Sequence, residues 1–203
     1  MIDWIMSIDA HWYSTIFAIR NFVAAFHHAA IIIAFIVLIL NQRGYFPFLN
    51  KYHVGDFSRY IFMLCIIWGY FWFAEFMLIW YGNIPEETVY FIPRMSGSWR
   101  FYFFANMILN WFLPFILLMP LVFARNKTFL KVVIPFLIIG QFIDLYVQIF
   151  PGTVGEQVLG FQEIGTFVGF AGLFMLVTGW VMSRAGLYPS NHPYLVESKN
   201  HLT

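Results

Sequence analysis

Eight polar side chains sit inside stretches that are otherwise apolar: Arg20, His27, His28, Glu75, Asn106, Asn110, Gln141 and Asp144. Their spacing places them on shared helical faces. Gln141, Asp144 and Gln148 fall at i, i+3 and i+7. Asn106, Asn110 and Pro114 fall at i, i+4 and i+8, and Arg20, Ala24 and either His27 or His28 share a third face. An ionisable group at membrane depth costs about 3 kcal/mol even on insertion scales, so it has a partner or a job. Histidine and carboxylates in one layer are the parts of a proton relay. The same residues also suit a simpler purpose, in which Arg20 pairs with Asp144 or Glu75 and the asparagines lock helices together. Pro114 adds a further feature. It leaves the Asn110 carbonyl without its helical donor, free for water or a ligand.

Other chemistries are excluded by count and position. Cys65 is the only cysteine, so the chain alone holds no disulfide, thiolate zinc site or iron–sulfur cluster. A membrane b-type haem needs histidines facing each other from two helices. His27 and His28 are adjacent on one helix, whereas His11, His53, His192 and His201 sit at ends or loops. No metal, haem or catalytic triad is expected within this chain.

The elements that must position the polar layer are membrane spans. The 203 residues are 61% hydrophobic, 22% aromatic and only 10% charged, more apolar surface than a soluble domain can hide. The sequence predicts an all-α, polytopic transmembrane bundle with spans at 14–40, 57–81, 100–124, 129–150 and 163–184. Residues 1–186 form the membrane domain and 187–203 a polar tail, read as an extended arm. Counted from one end of its span, each of Arg20, Glu75, Asn106 and Asp144 lies roughly 9 Å deep. His27, His28, Asn110 and Gln141 lie a little deeper. Gly165 and Gly169 form a GxxxG, a pattern that lets helices approach closely.

Lys and Arg set the expected orientation. Arg43, Lys51 and Arg59 flank the first connection; Arg125, Lys127 and Lys131 flank the third; Arg184 and Lys199 follow the fifth span. Arg94 and Arg100 alone lie on the other side. The positive-inside rule puts the N-terminus outside and the tail in the cytoplasm. Trp4, Trp12, Tyr13, Trp80, Tyr81, Tyr90, Trp99 and Tyr102 mark the outer interface, and residues 82–99 form the longest outer loop. The N-terminus has acids where a cleavable signal has Lys or Arg. The net charge of +1 argues against a nucleic-acid partner.

Several stretches carry a resemblance that covers nearly the whole chain in order. They are IDWIMSIDAHWYSTIF, FMLIWYGNIPEETVYF, GQFIDLYVQIFPG, EIGTFVGFAGLF and SNHPYLVES. Together they resemble the C-terminal half of the ActF subunits of bacterial alternative complex III, within the wider polysulfide-reductase or NrfD-like membrane family. The resemblance implies half of a ten-span NrfD-like fold built as two four-helix bundles with peripheral helices. It also places DWIMSIDAHWYST at an internal turn of a longer subunit. Such complexes sit in the bacterial inner membrane and oxidise menaquinol-type quinol. Electrons pass through an iron–sulfur subunit and a multi-haem cytochrome c to a cytochrome c or an attached terminal oxidase. ActF-like subunits bind no haem or cluster themselves, and their ActC-like sister is the better-supported quinol site. The implied role is proton conduction, assembly or a second quinone site in contact with lipid. The family favours Gln at position 75 and His at position 141, so Glu75 and Gln141 imply a protonatable group moved between helices. Two rivals stand beside this reading: a purely structural scaffold subunit, and a stand-alone ion transporter.

Overall fold

Side-chain caps and prolines decide where the helices begin and end. The computed structural model describes residues 3–156, 160–184, 186–188 and 191–201. Pro189 and part of the tail discussed above lie outside them. The described residues fall into two compact units, 1–156 and 157–203. All regular structure is helical; no strand occurs among the described residues.

In the first unit, α1 runs Thr15–Gln42, with the Ser14 hydroxyl accepting from Phe17 N–H at 3.4 Å. The second helix, α2, runs Lys51–Gly82 and starts six residues before the expected span. Asn50 explains the difference. Its Oδ1 accepts from the N–H groups of Tyr52 (2.8 Å) and His53 (3.2 Å), and the His53 ring returns to the Asn50 N–H, completing a capping box. At its far end Asn83 takes the left-handed conformation, φ +46°, and donates to the Ile79 carbonyl. The loop expected after α2 holds two short helices, α3 (Pro85–Thr88) and α4 (Phe91–Met95).

The third span is shorter than 100–124. It comprises α5 (Trp99–Met107), a π-helical turn (Ile108–Phe112) and α6 (Leu113–Leu118). Pro120, in extended backbone, stops it, and the chain resumes as α7 (Leu121–Ala124). The π turn precedes Pro114, where the helix must accommodate a missing N–H. Helix α8, Lys127–Thr153, starts on Asn126, whose Oδ1 accepts from Thr128 and Phe129 N–H.

These four spans close into a four-helix bundle. Helix α1 packs along α2 and α8, α5 packs on α8, and α6 packs on α2. Two apolar clusters fill it. One joins Trp12, Phe17, Trp68, Trp72, Phe91, Phe103 and Val147. The other joins Ile31, Leu38, Val54, Ile61, Leu118, Leu130 and Leu137. On α1, the third span and α8, polar residues lie between the two: His27 between Ala24 and Ile31, Asn110 between Phe103 and Leu118, Gln141 and Asp144 between Leu137 and Val147; Arg20, between Phe17 and Val23, and Glu75, between Trp72 and Ile79, lie within the first. Below, the ends of the bundle are called the Trp12 end and the Lys127 end.

In the second unit, α9 runs Phe161–Arg184, and the Glu163 carboxylate accepts from Gly160 N–H at 2.8 Å. Among the described residues of this unit no atom approaches a Cβ position at Gly165 or Gly169 within 4 Å. The tail, expected to be extended, forms a turn of helix, α10, at Leu195–Lys199. Five helices are long and apolar enough to cross a membrane: Thr15–Gln42, Lys51–Gly82, Trp99–Leu118, Lys127–Thr153 and Phe161–Arg184. They make this a membrane-embedded chain.

Two glycines mark where backbones come closest. A Cβ at Gly69 would stand 2.5 Å from the Trp111 ring, and one at Gly140 would stand 2.7 Å from Leu109 Cβ. Gly69→Ala and Gly140→Ala are each expected to destabilise the bundle by ~1–3 kcal/mol through overpacking. Gly165→Ala, with open space at its Cβ, is expected to be neutral or slightly stabilising. Thermal unfolding in detergent checks the contrast; equal melting temperatures for all three would refute the close packing.

Candidate functional site

The polar layer assembles from three clasps, each between two helices. Arg20 on α1 meets Glu75 on α2, with Nη1 donating to Oε2 at 2.8 Å. Asn106 on α5 donates to Asp144 Oδ1 on α8 at 2.8 Å. His27 Nδ1 on α1 and Gln141 Nε2 on α8 lie 3.0 Å apart. All six residues are buried. Of the two partners expected for Arg20, Glu75 is the one in contact. Asp144 and the Tyr90 phenol also lie within electrostatic reach of the guanidinium.

Asn110 extends the layer toward the middle of the bundle. Its amide donates to Asn106 Oδ1 at 2.6 Å and to the Gly140 carbonyl at 2.8 Å. Only a glycine at 140 permits this approach, because a Cβ there would sit 3.0 Å from Asn110 Oδ1. The π turn rotates Asn110 into this position, so the proline break and the polar contact belong to one feature. His28 is half-buried and turned away from the clasp made by its neighbour, within electrostatic reach of Asp144. Thus His27, rather than His28, shares the face of Arg20.

The clasps leave polar atoms over. Arg20 Nε, Glu75 Oε1, His27 Nε2, Gln141 Oε1 and Asn110 Oδ1 are buried and meet no partner among the described residues. When the Gln141 amide donates to His27 Nδ1, the ring proton sits on Nε2, one of these atoms. A buried polar atom without a partner costs ~1–3 kcal/mol, and internal water or an exchangeable proton relieves it.

A second polar group caps the layer at the Trp12 end, and it was missed in the sequence. Arg94, counted there as an outer loop charge, is buried and spends its whole guanidinium on the bundle. It donates to the carbonyls of Val147 (2.9 Å), Gln148 (2.9 Å) and Tyr90 (2.7 Å) and to Asp9 Oδ2 (2.9 Å). Pro151 is the cause. It has no N–H for the carbonyl four residues back, Val147, and Arg94 takes that acceptor. The Tyr90 ring lies between Arg94 (3.5 Å) and Trp12 (4.0 Å, stacked). Burial raises the Tyr90 phenol above its ordinary pKa, against the pull of Arg94 and Arg20, so it stays neutral as a hydrogen-bonding group. The readable signal was the i, i+4 relation of Val147 to Pro151. Gln148, on the same face as Asp144, is buried beside this group with its amide unpartnered.

The sequence-predicted residues therefore meet in pairs inside the bundle, Arg20 with Glu75, Asn106 with Asp144 and His27 with Gln141. No group of three or more His, Cys, Asp or Glu side chains is placed to hold a metal among the described residues. What the layer offers chemically is three titratable side chains, Glu75, Asp144 and His27, beside polar atoms with no partner among the described residues.

Removing one member of the Arg20–Glu75 pair strands a buried charge. Glu75→Gln is expected to destabilise the bundle by ~3–5 kcal/mol, and Arg20→Met combined with Glu75→Met to recover most of that loss. Thermal unfolding of the three variants checks this. A single variant as stable as the parent would show that the pair is not a dry contact.

Compared with known proteins, the chain matches no family model and no curated protein.

Proposed function

We propose that this chain is an ActF-like, non-haem integral membrane subunit of a quinol:electron-acceptor oxidoreductase of the alternative complex III type. It supports respiratory electron transport in a bacterial inner membrane, with its N-terminal end outside. Its polar layer provides a proton half-path opening toward the Trp12 end, and the electrons pass through partner subunits bearing iron–sulfur clusters and multiple haems. The observation that carries the reading is the layer itself. Three titratable side chains and an arginine lie buried within the apolar interior of the bundle, with five polar atoms left without a partner among the described residues. Two further features support it: the stretches quoted for the resemblance, and the closure of the first four spans into one four-helix bundle.

A scaffold role is the second reading, and one observation favours it. The three clasps join α1 to α2, α5 to α8 and α1 to α8, which is what helix locks would do. The two readings separate by experiment. Tagged protein is extracted from its native membrane in mild detergent. Haem-containing and iron–sulfur subunits are expected to come with it, and isolation of the chain alone would sink the assignment. In the intact complex, Glu75→Gln with Asp144→Asn is expected to slow proton movement by about tenfold or more. Assembly with unchanged proton movement and quinol oxidation would leave the scaffold.

A further inference from the structure

The Lys127 end carries a cavity of about 580 Å³ lined by Lys51, Leu121, Val122, Arg125, Asn126 and Lys127. We infer that this cavity binds the phosphate headgroup of an anionic phospholipid. The inference stands apart from the proton layer and from the proposed complex.

Charge is the first argument. Lys51 and Lys127 occupy the first positions of α2 and α8, helices of 32 and 27 residues. The partial positive charge of a helix start disfavours a cation there, yet neither first turn contains an acid. Arg125 adds a third positive charge between them. Its Cζ lies 4.8 Å from the Tyr52 ring, on which Lys51 Nζ also rests at 5.1 Å. Lys127 donates to Asn41 Oδ1 (2.9 Å) and the Leu49 carbonyl (2.7 Å), both neutral acceptors. None of the three makes an ion pair among the described residues. Asp56, one helical turn along α2 from Tyr52, has Arg59 at 3.1 Å. Arg125 Nε is buried without a partner, and the side-chain stem lies on Gly55, where a Cβ would come within 3.1 Å of it. Three cations thus converge on one cavity, none of them in an ion pair among the described residues.

Shape supplies the second argument and selects a lipid over a free anion. Pro120 ends the third span early and turns α7 into a shelf, fixed by the Ser58 hydroxyl donating to the Ala124 carbonyl at 2.7 Å. Leu121 and Val122 on that shelf are 54% and 79% exposed and form the apolar wall of the cavity. Inorganic phosphate gains nothing from such a wall, whereas the glycerol and upper acyl chain of a lipid cover it. Basic pockets between membrane helices are suited to anionic headgroups.

Full-length protein in detergent is titrated with phosphatidylglycerol, phosphatidylcholine or inorganic phosphate, and followed by melting temperature and native mass spectrometry. Phosphatidylglycerol alone is expected to stabilise the protein and to remain bound. Lys51→Gln, an exposed position, should weaken it about fivefold, and Lys51→Gln with Arg125→Gln about thirtyfold. Arg100→Gln, at the Trp12 end, makes the same charge change and should leave it unaltered. Equal binding of phosphatidylcholine, equal stabilisation by phosphate, or equal losses for Arg100→Gln and Lys51→Gln would overturn the site. Should the double variant not fold, an unchanged affinity in Lys51→Gln overturns it alone.

Discussion

The constraint on which the first unit depends is the ion pair between Arg20 and Glu75. Two opposite charges meet at 2.8 Å among apolar helices, each almost fully excluded from solvent. Neither is tolerable there alone, so α1 and α2 pack in the register that joins them. That register sets the rest of the layer. Two turns beyond Arg20, His27 faces Gln141 on α8, and three residues beyond Gln141 comes Asp144. Asp144 then lies within reach of Arg20 and is held by Asn106. One pair of charges thereby fixes the relation of three helices, and the asparagines bring in the fourth.

Prolines create the second set of constraints, because each frees an acceptor or stops a helix. Pro151 releases the Val147 carbonyl, and a whole arginine is buried to meet it. Arg94 then ties the N-terminal segment, through Asp9, to the end of α8, and Gly152 allows Ile8 and Asp9 to lie close against that helix. Pro114 is met differently, by a π turn that carries Asn110 onto Gly140. Pro120 is not compensated within the helix at all, and the resulting break makes the shelf at the Lys127 end. In a membrane, non-helical backbone survives only where protein or water serves it. Here the irregular points coincide with the buried polar groups and the cationic cavity.

Five helical spans were readable because period and length in an apolar chain leave few alternatives. That Arg20, Glu75, Asn106 and Asp144 belong to buried faces was readable for the same reason, since spacing along a helix follows from its known geometry. Which residues touch was less so. Arg20 had two candidate carboxylates, and counting alone does not order helices around a bundle. The His27–His28 ambiguity is one of rotation, settled by where the α1–α8 contact falls. The third span was drawn too long because Leu121, Val122 and Phe123 continue the apolar run past Pro120, and hydropathy outweighed the break. The burial of Arg94 was missed for a related reason. Its partners are mostly backbone carbonyls, which a list of side chains does not display.

The lock and the relay are not physically opposed in this layer. A lock that served only stability would pair every polar atom, since each one left over subtracts from the gain. Here the clasps hold geometry with one atom of each group and leave another over. Glu75 uses Oε2 and keeps Oε1, Arg20 uses Nη1 and keeps Nε, and the His27–Gln141 pair leaves Nε2 and Oε1. Asn110 donates twice and leaves its oxygen. The bonded atoms therefore set positions while the remaining ones stay as buried donors and acceptors. Those remaining atoms are the ones an internal water or an exchangeable proton would serve, so one layer can lock helices and still offer polar sites.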